Sequence, residues 1–166
     1  KIIAGVEISS DTHGNSYAEI NSNKKFTVML AGHIDEIGLM TTYIDPRGFI
    51  YFTNIGGWDT QVLPGQHVNI KTDKGLIPGV IGRAPIHLLS PEQRKAVVKF
   101  DNLWIDIGAK DYKEASSVVS IGDPAVIDRG IRRLKNDLVA GRAFDDGHLA
   151  ISASCPLSSV PKVSDF

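Results

Sequence analysis

The residues of this chain that are best suited to chemistry lie where an apolar run ends at a histidine. The run from Phe26 to Ala31 is followed by Gly32 and His33, and Asp35 comes two residues after the histidine. We expect the run to be a fully buried strand, whose C-terminal end opens on the crevice where α/β sheets bind ligands. A histidine there can bind a metal ion while a nearby aspartate fixes the ring through its other nitrogen. The pattern predicts a metal ligand at His33.

A second acidic pair lies far along the chain, where Asp145 and Asp146 follow Gly141-Arg142-Ala143-Phe144. An aspartate suits a site with two metal ions, because each carboxylate oxygen can bind one ion. Both patterns also have a simpler interpretation. His33 can be a buried structural imidazole, and the two aspartates can be a solvated pair at a turn or at the start of a helix.

The composition excludes several classes of function. The chain has 166 residues with 18 basic and 19 acidic side chains, a net charge of −1, whereas a nucleic-acid-binding protein normally has a clustered basic excess. No apolar stretch is long enough to span a bilayer, so we expect no membrane partner. The single cysteine, Cys155, cannot form a disulfide within the chain and favours a cytoplasmic protein. A Walker loop, a dinucleotide glycine fingerprint and a Gly-x-Ser-x-Gly elbow are all absent from the sequence.

Turn patterns indicate the elements that position the candidate residues. Asp11 to Asn15 is a turn sequence, since both Gly14 and Asn15 tolerate a positive φ. Gly38 to Ile44 and Phe49 to Phe52 flank the turn sequence Asp45-Pro46-Arg47-Gly48. These segments predict a hairpin directly after the His33 segment.

The middle of the chain has a different texture. From Leu63 to about Val139, short β-type segments separated by Gly and Pro predict a small all-β barrel or sandwich. Two short helices are predicted within it, one capped by Ser90 and one near residues 111–116. The segment from Ser152 to Pro161 contains Ser and Pro without periodicity, and we expect a disordered or truncated tail there.

The order of motifs along the chain resembles one family. The shared motifs are Asp11 to Asn15 (DTHGN), Leu30 to Met40 (LAGHIDEIGLM), Ile55 to Asp59 (IGGWD), Val62 to Gln66 (VLPGQ), Ile77 to Gly82 (IPGVIG), His87 to Glu92 (HLLSPE), Leu103 to Gly108 (LWIDIG), Ile121 to Pro124 (IGDP) and Gly141 to Asp146 (GRAFDD). In combination they resemble the TET-type metallo-aminopeptidases, also called glutamyl or deblocking aminopeptidases or cellulase-M-like proteins. The resemblance covers residues of about 1–146.

This resemblance implies an α/β peptidase domain, incomplete here, with an inserted small all-β barrel-like dimerisation domain. Residues 65–138 would form the insert. Residues 1–64 and 139–166 would belong to the peptidase domain, the second of them ending in a truncated or irregular tail. The resemblance further implies a peptide substrate and self-association through the insert into a dimer-based hollow dodecamer.

The resemblance also assigns roles to the candidate residues. His33 matches a histidine that binds one of two divalent metal ions, Zn or Co. Asp35 matches the catalytic aspartate behind it, which orients the ligand or tunes the site. Asp145 matches the carboxylate that bridges the two ions, and Asp146 follows it across a peptide bond that is often cis in such enzymes.

The sequence departs from the family pattern after Asp146. The family continues with Arg and then supplies a Glu-Glu pair, a further acidic ligand and a last histidine. Here Gly147 and His148 follow, and Asp165 is the next acidic residue. We therefore expect an aminopeptidase by lineage that is inactive as the chain stands. The alternatives are a non-catalytic oligomerisation module and, more remotely, a glycan hydrolase of the endoglucanase type.

Overall fold

The computed structural model describes residues 6–20 and 23–147, in two compact units, Lys1–Ala31 and Gly32–Phe166. In the first unit, β1 (Val6–Ser10) and β2 (Ser16–Ile20) pair antiparallel. The Asp11 carboxylate accepts hydrogen bonds from the backbone N–H groups of His13 and Asn15. Hydrogen bonds led by the Asn15 side chain lower the pKa of Asp11 to about 2. The predicted turn over residues 11–15 is confirmed.

The prediction of a buried strand over Phe26–Ala31 is wrong. These residues have no regular secondary structure, and Phe26 and Met29 are 83% and 80% exposed. A strand is stabilised by ladder hydrogen bonds and by cover on its faces, and none of the strands formed by the described residues pairs with this run. The apolar side chains of this run would be buried only if other residues packed against them, and the described residues do not do so.

The second unit contains a closed barrel of six antiparallel strands. Its strands are β3 (Gly38–Ile44), β4 (Ile50–Ile55), β5 (His67–Thr72), β6 (Gly75–Arg83), β7 (Leu103–Asp106) and β8 (Pro124–Ile127). They close in the order β3-β4-β7-β6-β5-β8. Closure removes the unpaired edges that an open sheet presents.

The remaining elements are short. They are α1 (Pro91–Lys95), α2 (Tyr112–Ser116), the two-residue strands β9 (Arg132–Arg133) and β10 (Val139–Ala140), and 3-10 turns at Thr60–Val62, Ile86–Leu88, Phe100–Asn102 and Lys135–Asp137. Ser90 caps α1 in a reciprocal capping box with Gln93, and Asp111 caps α2. Both predicted helices are confirmed. None of the helices in the described residues is long and apolar enough to cross a membrane.

Side chains from every barrel strand fill the core, as expected for a barrel of this size. The largest of the fully buried side chains are Leu39, Ile50, Leu63, Ile70, Ile81, Leu103, Ile105, Val68, Val119 and Thr41. Thr41 is the polar member of this set, and its hydroxyl donates a hydrogen bond of 2.7 Å to the Ser120 carbonyl. Its buried oxygen is therefore satisfied.

The predicted hairpin of β3 and β4 is confirmed, and its turn is held by Asp45. The buried Asp45 carboxylate accepts hydrogen bonds from the N–H groups of Arg47 and Phe49 and from the Arg47 guanidinium at 2.7 and 2.9 Å. Burial by itself raises the pKa of Asp45, but these hydrogen bonds outweigh it and the net shift is downward. The turn thus fixes the first hairpin of the barrel, and β3 of this hairpin begins shortly after His33.

The barrel begins earlier than the residues 65–138 in which an insert was predicted. Its first two strands lie between Gly38 and Ile55, and its last ends at Ile127. The barrel itself is therefore observed, as an all-antiparallel fold. The α/β peptidase domain, the domain limits and the dimerisation role stay predictions. The predicted tail from Ser152 to Pro161 lies outside the described residues.

Candidate functional site

His33 and Asp35 lie together in an irregular segment just before β3. The imidazole Nδ1 is 3.1 Å from Asp35 Oδ1 and 3.2 Å from the Asp35 carbonyl oxygen. Both of these partners are acceptors, so Nδ1 bears the proton, and in the neutral ring Nε2 is then the free electron-pair donor. This is the arrangement in which a carboxylate orients a metal-binding histidine.

The exposure of this pair rules out the simpler interpretation of His33. The His33 side chain is 57% exposed and the Asp35 side chain 88%. A buried structural imidazole would be enclosed by its neighbours, and this one is accessible. Among the described residues, the His33 ring is therefore accessible from solvent.

Asp145 and Asp146 lie in a turn near the end of the described residues. The peptide bond between them is cis, as the family resemblance implied. Asp145 is exposed and Asp146 half-buried. The Asp145 carboxylate is thus accessible to a ligand, while His148 and Cys155 lie outside the described residues.

Two residues that the sequence did not single out join the segments that contain these candidates. Glu36 Oε1 lies 3.7 Å from Arg142 Nε, an ion-pair distance. Arg142 also donates a hydrogen bond of 3.1 Å to the carbonyl of Ile127, at the end of β8. The one available signal was position, because Glu36 follows Asp35 and Arg142 precedes Asp145 by three residues.

A cavity of about 340 Å³ lies beside this ion pair. It is lined by Glu36, Asp128, Arg129, Gly130, Ile131, Arg142 and Ala143. Acidic and basic side chains and the aliphatic side chains of Ile131 and Ala143 face it. Its walls come from the segment after His33, the end of β8 and the segment before Asp145.

The donors fit a divalent metal in kind but not in number. Imidazole nitrogen and carboxylate oxygen suit Zn, Co and Mn. Within residues 6–20 and 23–147, no group of three or more His, Cys, Asp or Glu side chains is placed to hold a metal ion. A tetrahedral zinc site takes at least three protein ligands. The described residues therefore do not by themselves form such a site.

Comparison with known proteins places the chain in a family. The model of the M42 glutamyl aminopeptidases matches residues 14–153. The chain belongs to this family. FrvX of Escherichia coli K12 is 39% identical over 142 residues, which are 84% of this chain and 40% of FrvX. The lysyl aminopeptidase of Pyrococcus furiosus is 33% identical over 113 residues, 68% of this chain and 32% of that protein.

Solved structures agree with this family assignment. The TET aminopeptidase of Thaumarchaeota archaeon SCGC AB-539-E09 superposes with a TM-score of 0.78 at 36% identity, over 89% of this chain and 43% of that one. The Pyrococcus horikoshii TET1 peptidase superposes with a TM-score of 0.74 at 36% identity, over 91% of this chain and 46% of that one. That peptidase can assemble into a tetrahedron or a large octahedral shell. An endoglucanase of Thermotoga maritima superposes with a TM-score of 0.66 at 29% identity, over 89% of this chain and 44% of that one.

The M42 relatives are longer than this chain. It spans about two-fifths of the length of FrvX and of the TET aminopeptidase. The resemblance drawn from the motifs is confirmed at the level of the family. The activity of a whole M42 protein, its substrate and its assembly are matters for proposal in this chain.

Proposed function

We propose that this chain forms the N-terminal part of a metal-dependent aminopeptidase, and that it supplies His33 and Asp145 as metal ligands. The observation that best supports this is the His33 ring, accessible and fixed at Nδ1 by Asp35. Membership of the M42 family and the lysyl aminopeptidase relative support the reaction, removal of N-terminal residues from peptides.

The roles of the residues follow from their chemistry. Asp35 holds the proton of His33 at Nδ1 and so keeps the Nε2 electron pair directed to a ligand. The exposed carboxylate of Asp145 has two oxygens, which suits it to lie between two cations. When bound, a pair of Zn or Co ions would polarise the scissile carbonyl and lower the pKa of a water molecule.

The chain by itself lacks the groups that complete such a site. After Asp146 it has one acidic residue, Asp165, and one histidine, His148. A hydrolytic reaction also needs a base within reach of the attacking water. We therefore propose that the 166-residue chain binds a metal weakly and does not hydrolyse peptides. The cytoplasmic location stays a prediction.

Metal binding tests this proposal directly. We expect calorimetric titration of the 166-residue chain with Co²⁺ to show weak binding that His33→Ala reduces at least tenfold. His13→Ala is the matched control, because His13 is an exposed turn histidine in the other unit, and it should leave the affinity unchanged. Equal affinities in the wild type and both variants would exclude His33 as a ligand.

Hydrolysis of aminoacyl p-nitroanilides by the same samples tests the second half of the proposal. We expect no turnover with Zn²⁺ or Co²⁺. Turnover that disappears in His33→Ala would support the aminopeptidase assignment and contradict the proposed inactivity.

A second candidate function is self-association of the barrel unit. The segment around α1 exposes apolar side chains, among them Ile86 at 69%, Leu88 at 71% and Val97 at 63%. Such patches mark interaction sites when they are contiguous, and a structure of the relative PhTET1-12s contains a dodecamer. Light scattering should give a mass that falls when Leu88 is changed to Lys, with Leu76→Lys, at an exposed position near the start of β6, as the control. A monomeric wild type would exclude this role.

A glycan hydrolase is not supported by the residues. The cavity has two carboxylates on its wall, Glu36 and Asp128, as such enzymes require. However, Glu36 is paired with Arg142, and none of the described residues that line the cavity is an aromatic residue that could stack against a sugar. The likeness to the Thermotoga maritima endoglucanase therefore shows shared fold and ancestry, and we do not extend its name to this chain.

A further inference from the structure

We infer that Glu36 and Arg142 are positioning residues, whose ion pair holds the segment with His33 and Asp35 in register with the segment that contains Asp145. This inference rests on the metal site proposed above. It adds two residues that neither bind the metal nor contact the substrate.

Arg142 is well placed to act as a link. Its Nη1 donates to the Ile127 carbonyl at 3.1 Å, and its Nε lies 3.7 Å from Glu36 Oε1. The guanidinium is a rigid planar fork that directs donors on two separate nitrogens to the two partners, whereas a lysine has only one ammonium nitrogen. The rigid end of β8 is thereby connected through one side chain to the segment before the barrel.

The position of Glu36 differs from that of its neighbour. The Glu36 side chain is 24% exposed, whereas that of Asp35 is 88% exposed. Because the Arg142 side chain is 42% exposed, dielectric screening of the pair is reduced only on the Glu36 side. Asp35 faces solvent beside His33, and the next residue anchors the segment.

The two anchors flank the proposed ligands closely. Glu36 is three residues after His33, and Arg142 is three residues before Asp145. Glu36, Arg142 and Ala143 also line the same cavity. In neither segment is the ligand within a regular strand or helix, so the ion pair supplies a constraint that secondary structure does not.

The test is a double-mutant cycle on Co²⁺ affinity in the 166-residue chain. The variants are Glu36→Gln, Arg142→Met and the double variant, with Glu19→Gln as a control for loss of one negative charge at an exposed site. We expect each single variant to weaken Co²⁺ binding about tenfold, as loss of supporting contacts around metal ligands does. Because the two residues act as one unit, the double variant should be no weaker than either single variant.

A second readout separates positioning from general stability. Arg142→Lys keeps the charge but only one of the two contacts, so we expect an intermediate Co²⁺ affinity. All variants should keep the melting temperature of the metal-free barrel. A lower melting temperature with unchanged Co²⁺ affinity would show a structural role and overturn the inference, as would losses that multiply in the double variant.

The outcomes also distinguish this inference from the proposed function. If His33→Ala weakens Co²⁺ binding but Glu36→Gln does not, only the positioning role is wrong. If His33→Ala has no effect, the metal site itself is wrong and the inference falls with it.

Discussion

The barrel and the segments that contain the candidate ligands are opposite kinds of structure. In the barrel, six strands close on each other and side chains such as Leu39, Ile50 and Ile105 are fully buried. The His33 segment has no regular secondary structure, and its apolar residue Ile34 is 85% exposed. The barrel buries its large apolar side chains, whereas the His33 segment leaves Ile34 exposed.

This difference shows how stability and chemistry are divided along the chain. Functional residues commonly lie on irregular segments that a rigid scaffold positions. Here the barrel is closed, whereas among residues 6–20 and 23–147 no group of three or more His, Cys, Asp or Glu side chains is placed to hold a metal ion. We therefore expect the barrel to fold without metal. We expect the conformation of the segments around His33 and Asp145 to depend on the additional groups that would complete the proposed metal site.

The largest difference in the free energy of unfolding should appear when an isoleucine is changed to alanine in the barrel and, separately, in the His33 segment. Ile105→Ala removes a fully buried side chain that lies opposite Ile50 and Ile81 in neighbouring strands. We expect it to lower the free energy of unfolding by about 2–5 kcal/mol. Ile34→Ala should change it by less than about 0.5 kcal/mol. Urea unfolding followed by tryptophan fluorescence measures both, and equal losses would show that Ile34 is packed in solution.

A smaller effect is expected where two strands approach too closely for a side chain. A Cβ at Gly79 in β6 would lie 2.5 Å from Ile105 Cγ2 and 3.2 Å from the Asp106 carbonyl. We expect Gly79→Ala to cost about 1–3 kcal/mol through overpacking. Gly57→Ala is the control, since nothing lies within 4 Å of its Cβ. The two variants should differ clearly in the urea midpoint, and matching midpoints would contradict the tight packing of β6 against β7.

Much of the barrel could be predicted from local sequence because its strands and turns are determined locally. Asp45-Pro46-Arg47-Gly48 indicated a hairpin, and Ser90 indicated a capped helix. These features depend on contacts within a few residues. The inclusion of β3 and β4 in the barrel depends on pairing with β7 and β8, which no local pattern reveals.

The same limit explains the misassigned strand. Phe26–Ala31 has the composition of a buried strand, but composition states what a segment needs and not which partners are present. The candidate site shows both cases. His33 and Asp35 are two residues apart and their contact was predictable, whereas Glu36 and Arg142 are brought together by the fold.

A moderate effect with a defined pH dependence is expected at the barrel's first turn. Asp45→Asn loses the charge-assisted hydrogen bonds to Arg47, and we expect it to lower the free energy of unfolding by about 1–2 kcal/mol at pH 7. The folded pKa of Asp45 is below its ordinary value. Its stabilisation is therefore complete above the unfolded pKa and is lost as the pH falls through the lower folded pKa.

The measurement is urea unfolding of both proteins between pH 7 and pH 2.5. The difference in the free energy of unfolding between wild type and Asp45→Asn should become smaller as the pH falls. Asp73→Asn, in the exposed turn between β5 and β6, should produce a curve parallel to the wild type. A gap that is constant with pH would show that the substitution acts through packing alone.

The smallest effect on stability should come from the residue with the largest proposed effect on metal binding. His33 is mostly exposed, and its side chain contacts Asp35 in the same short segment. We expect His33→Ala to change the free energy of unfolding by less than about 0.5 kcal/mol and to leave the mass by light scattering unchanged. If the variant instead dissociates or unfolds, the ligand segment supports the barrel and the two regions are not separable. An unchanged fold with weakened Co²⁺ binding would place chemistry and stability on different residues of one chain.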